Sequence, residues 1–172
     1  MDYRNNDDKS SKIDKMIESL KLQKHILEEQ MSNLLSKYGK FDEIKKDKEK
    51  ILEIMQSDDG DTRLAAIQVY SLYIANKKDM VLLCDKLLET DKHEKIIHFC
   101  IHFISSHLNE KDRKYFCRIF ANIVLNSDYN EITRKKAYYG ILRIMHLDMP
   151  DFEIFNIYND VDIVVISSIM ND

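Results

Sequence analysis

Residues 93–102 read HEKIIHFCIH, with three histidines, a glutamate and a cysteine in ten positions. Such residues can hold zinc, and the protease pattern HExxH sets two histidines one helical turn apart with the glutamate as base. Here His93-Glu94 is followed by His98, giving HExxxH. Five residues turn a helix by about 500°, so the two rings diverge by about 140° and do not meet on one ion. His98 and His102, four apart, share a face, but they lack an obvious third ligand and Cys100 points elsewhere. Their neighbours Ile96, Ile97, Phe99, Ile101, Phe103 and Ile104 are all apolar. His98, His102 and Ser105 therefore form the polar stripe of a nearly buried helix. The expected reading is a groove-facing or exposed stripe with a structural or partner-contact role, with no metal and no cofactor. GxGxxG, P-loop and GxSxG signatures are absent, and Gly60 in SDDGD is out of register for an EF-hand loop.

The elements that would position this stripe are helices. Gly 3 and Pro 1 in 172 residues are too few for the turns of sandwiches, barrels or parallel sheets. The net charge of −4 argues against a dedicated nucleic-acid binder, which needs surplus Lys and Arg. No run approaches the ~20 apolar residues of a membrane span. The polar start MDYRNNDDKSSK lacks the apolar core of a signal peptide. Cys84, Cys100 and Cys117 sit singly in apolar segments, so a cytoplasmic protein with reduced, buried thiols is expected.

Residues 1–9 read as disordered, 10–56 as an N-terminal helical hairpin and 57–172 as a helical repeat domain. Ser11 and Asp14 resemble a capping box at a helix start. Ile13, Ile17, Leu20, Lys24, Leu27, Met31, Leu34 and Tyr38 step by four and three, a heptad seam of about 40 Å ending at Gly39. The seam predicts either a homodimer through residues 11–38 or a helix folded back on its own domain, because Met16, Leu22, Ile26 and Leu35 broaden the stripe. A second helix is predicted over 41–55.

From there the chain repeats. DGDTRLAAIQVYSLYI (59–74), DKHEKIIHFCIHFI (91–104) and NEITRKKAYYGILRI (130–144) each open on polar residues and a base: Arg63, Lys95 and Arg134. Second helices are predicted at 79–89, 110–125 and 151–158, and residues 160–170 as helix over strand. This helix-pair period of about 35–40 residues signals a solenoid. Thr62-Arg63 with Ala66, and Thr133-Arg134 with Ala137, resemble the first helix of a HEAT repeat, where a small residue follows the Arg by one turn. The resemblance covers about 58–158; the middle unit departs from it, with Lys95 for Arg and His98 for Ala. It implies an all-α, right-handed solenoid of HEAT-like pairs behind a long N-terminal helix, and no activity. The HEAT-like deoxyhypusine hydroxylases carry a His-Glu pair in each repeat, where this chain has only His93-Glu94. HEAT-like DNA glycosylases need a cationic concave face, which the net charge opposes.

Charge placement carries the functional expectation. After Arg143 there is no Lys or Arg, whereas Asp148, Asp151, Glu153, Asp160, Asp162 and Asp172 follow. These acids can serve as helix caps, or as an acidic face that steers a basic protein. The reading is a non-catalytic protein-binding module. Its candidate partner residues are Asp148, Asp151, Glu153, Tyr158, Asp160, Asp162, His98 and His102. The partner is another, basic protein, not nucleic acid or membrane, as for a bacterial immunity protein masking a nuclease-like toxin. The alternative is an adaptor that oligomerises through the heptad helix. A metal-dependent enzyme using His98 and His102 ranks third.

Overall fold

A computed structural model describes residues 5–171, and these form nine α-helices and no strand. The chain divides into two compact units, Met1–Ile74 and Ala75–Asp172. Among the described residues no helix is long and apolar enough to cross a membrane.

The first unit contains α1 (Asn5–Leu35), α2 (Phe41–Ile44), α3 (Lys48–Ile54) and α4 (Gly60–Tyr73). Helix α1 starts before the Ser11 cap expected from sequence, so residues 5–9 are helical, not disordered; residues 1–4 of that predicted segment lie outside the described ones. A 3-10 turn, Ser36–Tyr38, finishes the helix, and Gly39 follows at φ 136°, a conformation that only glycine takes without strain. The single helix predicted over 41–55 is instead two. The chain turns at Lys45-Lys46, and the Asp47 carboxylate caps α3 by accepting from Lys50 N–H at 3.0 Å.

Helix α1 packs against α4 through its C-terminal part, where Met31 and Leu35 are fully buried. Tyr73 of α4 donates its hydroxyl to Glu28 of α1 and meets Phe41 of α2 edge-on. Lys45 Nζ sits 5.5 Å from the Tyr73 ring centroid. Burial, then the Glu28 carboxylate, pushes the Tyr73 phenol up to about 12. Upstream of this anchor the heptad side chains are bare: Ile13, Ile17 and Leu20 are 58%, 44% and 54% exposed.

The second unit contains α5 (Lys77–Thr90), α6 (Glu94–His107), α7 (Arg113–Leu125), α8 (Glu131–Ile144) and α9 (Ile163–Asn171). Helix α6 packs on α5 and α8, and α7 packs on α8 and α9. The packed neighbours α5–α6 and α7–α8 each join the second helix of one predicted pair to the first helix of the next. The helix predicted over 151–158 does not form; those residues make turns, pinned by the buried Phe155 and Ile157. Residues 163–171 are helical, as preferred over a strand.

The repeated Thr-Arg pairs do the same local work twice. Asp59 and Asn130 are N-caps that accept from Thr62 N–H at 3.0 Å and Thr133 N–H at 2.8 Å. Arg63 then donates to the Ser57 and Asp58 carbonyls, and Arg134 to the Val124 carbonyl. Each arginine ties its helix start to the segment before it, while Ala66 and Ala137 are fully buried one turn on.

Gly140 sits at a close approach of α8 to α7 and α6. A Cβ there would lie 2.8 Å from the Phe120 ring of α7 and 3.1 Å from Ile101 of α6. Gly140→Ala should therefore lower the stability of this unit by ~1–3 kcal/mol, the usual cost of overpacking. Phe120→Leu added to it should recover part of that loss, both read by urea denaturation with circular dichroism.

Candidate functional site

Two surfaces of the second unit collect the residues marked in the sequence. The first is a cleft of about 340 Å³ lined from α6 by His98, Ile101, His102 and Ser105. Helix α8 contributes Lys136, Tyr139, Gly140 and Arg143, which fall three, four and seven positions apart and so share one face. Phe152 closes the far side, held by an edge contact of 5.1 Å with Tyr139, whose hydroxyl donates to the Pro150 carbonyl at 2.6 Å.

His98, His102 and Ser105 of the α6 stripe line this cleft. His98 Nε2 lies 2.8 Å from Thr133 Oγ1. Burial, then the Lys136 ammonium, lowers the His98 pKa, opposed by Glu94. Arg143 Nη1 stands 3.3 Å from His102 Nδ1 and donates to Ser106 Oγ at 3.1 Å. A guanidinium only donates, so His102 Nδ1 accepts. Burial, then Arg143, then His107 and Lys136, lowers the His102 pKa. Among the described residues no group of three or more His, Cys, Asp or Glu is placed to hold a metal ion. Cys84, Cys100 and Cys117 are free and buried, away from the cleft lining. The hydrogen bond with Cys84, then burial, pushes the Cys100 thiol far up, so it is no ready thiolate.

The second surface is the segment 145–164, which leaves α8 through a left-handed turn at His146 (φ 55°), with Leu147 N–H bonded to the Leu142 carbonyl. Three of its acids serve the backbone. Asp151 accepts from Glu153 N–H at 3.0 Å and Asp160 from Asn156 N–H at 2.7 Å. Asp162 caps α9, accepting from Val164 N–H at 2.8 Å. Asp148 and Glu153 are exposed. Tyr158 is exposed beside Arg134, whose guanidinium lies 5.2 Å from its ring centroid. Asp172 lies outside the described residues.

The structure brings His98 and His102 together in the cleft and sets the five acids on the loop and at the foot of α9. It adds Lys136, Tyr139, Arg143 and Phe152, which sequence reasoning had not marked. The spacing of the three α8 residues was the available signal. No protein-family model, no curated protein and no solved structure matches the chain.

A histidine held neutral in the fold resists protonation, so the unfolded chain binds more protons as pH falls. The associated stability is fully present above the ordinary histidine pKa of ~6.5 and is lost as pH drops through the lowered folded value. The denaturation midpoint of the second unit should therefore fall between pH 7.5 and 5, more shallowly in His98→Leu/His102→Leu. An unchanged slope in that variant would contradict the assignment.

Proposed function

We propose that this chain is a non-catalytic protein-binding module whose acidic C-terminal face, residues 148–164, holds a basic protein. One observation carries the reading. Ile154, Tyr158, Ile163 and Val164 are 79%, 68%, 63% and 76% exposed within a stretch holding five acids and no Lys or Arg. Exposed apolar side chains set among acids are what a docking face offers, apolar contact for affinity and a field for steering, with Arg134 of α8 the basic neighbour at the Tyr158 ring. A small immunity protein that masks a basic, nuclease-like toxin is the specific form proposed. A cytoplasmic setting goes with it, since three free buried thiols suit a reducing compartment.

The test is capture of partners from the source cell at low and high salt, followed by affinity measurement. Asp148→Lys, Glu153→Lys and Ile154→Ser change exposed side chains that cap no backbone group, whereas reversal of Asp162 would remove the α9 cap. Combined, the three should weaken a salt-sensitive basic partner by about tenfold or more. Binding indifferent to both salt and these changes would refute the acidic face.

A second reading has its own support. The bare heptad positions Ile13, Ile17 and Leu20 precede Lys24 at a core position, a substitution that favours dimers over higher coiled-coil assemblies. If α1 self-associates, sedimentation equilibrium should show a dimer that Ile17→Glu/Leu20→Glu converts to monomer. Metal-dependent catalysis through His98 and His102 has the least support, because Lys136 and Arg143 beside them repel a cation.

A further inference from the structure

Helix α8 carries four basic residues, Arg134, Lys135, Lys136 and Arg143, with different fates. Lys135 pairs with Glu131 at 3.1 Å, and Arg134 is tied to the Val124 carbonyl. Lys136 and Arg143, which face the cleft, form no ion pair with any carboxylate among the described residues. Both act on His102: Arg143 through its 3.3 Å contact, Lys136 through its field. Two cations therefore line one cleft with no carboxylate paired to either among the described residues. Like charges facing one cleft favour an anion that joins them.

We propose that the cleft between α6 and α8 binds a phosphate monoester, with Lys136 and Arg143 on the phosphoryl oxygens and Tyr139 and Phe152 against the ester's organic group. Charge sets the class. A phosphate monoester carries about −1.5 to −2 at neutral pH and matches two cations, while a carboxylate or sulfate ester leaves one unmatched. Arg143 uses one guanidinium nitrogen on His102 and Ser106, and its planar fork suits the remaining contact to phosphate oxygens. Shape agrees with this class: about 340 Å³ lies within the range of small-molecule sites, and Ile101, Tyr139 and Phe152 give an apolar wall for more than a bare ion.

The site also couples ligand to proton. His98 faces Lys136 and Thr133 across the cleft and Glu94 on its own helix. His102 faces Arg143 and Lys136, with His107 on its own helix. The loop brings Asp151 near Tyr139. An anion that neutralises the two cations removes their lowering effect, so both imidazoles titrate at higher pH when the site is filled.

The experiment is calorimetric titration of the full chain with phenyl phosphate and phenyl sulfate, which share a shape but differ by about one charge. Histidine proton shifts are followed by NMR. Phenyl phosphate should bind about tenfold or more tightly than phenyl sulfate, and Lys136→Gln and Arg143→Gln should each weaken it by about tenfold. Arg143→Lys, which keeps the charge, should lose less, and His98 and His102 should titrate at higher pH in the complex. A phosphotyrosine peptide that binds tighter than phenyl phosphate would identify a protein source for the ester; equal or weaker binding would identify a free metabolite. Equal affinity for phosphate and sulfate, or affinity unchanged by Lys136→Gln and Arg143→Gln in folded protein, would overturn the proposal.

Discussion

The second unit depends on the absence of one side chain. At Gly140 three helices come so close that a Cβ would press on the Phe120 ring and on Ile101. That proximity lets α6 and α8 lie side by side while α7 packs beneath α8, and it faces the polar stripe of α6 with the cationic face of α8. A larger residue would push α8 outward and open the cleft. Packed interiors transmit such a shift because they hold few voids to absorb it.

Two surfaces of opposite sign follow from this frame. Between α6 and α8, burial first, then Lys136 at His98 and Arg143 at His102, lowers the pKa of both histidines. Beyond α8 the chain leaves through the left-handed turn at His146 and runs as capped turns, anchored by Phe155 and Ile157. The stacking of Tyr138 on Phe155 at 5.3 Å, and the bond from Asp162 N–H to the Tyr138 hydroxyl, tie those turns to α8. A carboxylate that caps a turn stays at the surface, so a role in the backbone and a role in the surface field are compatible. Phe152 belongs to both surfaces, since it lies in the acidic loop and walls the cleft.

What could be read from sequence followed the strength of local signals. The helices over 59–74, 79–89, 91–104 and 130–144 carry long apolar periods, with side-chain caps at Asp59, Asn76 and Asn130 opening all but the third, and each is found within a few residues. Gly39 stopped α1 as its conformational freedom requires. The helix over 41–55 broke because Asp47 caps a new start, a competing signal inside an apolar pattern. The segment 151–158 shows apolar spacing near a helical period, yet Asp151, Asn156 and Asp160 capture backbone N–H groups locally and favour turns. The α6 stripe was legible as polar residues on an apolar helix. Its cationic counterpart was not, because which face of α8 meets α6 depends on the Gly140 crossing, a tertiary fact.

The central claim is that the acidic, apolar-studded face at 148–164 is where another protein sits. Hydrogen–deuterium exchange on the full chain, alone and with the captured basic protein, tests it most directly. We expect slowed exchange across residues 148–164 and the start of α9, with α1 unchanged. Protection confined to α1, or to the helices lining the cleft, would contradict it.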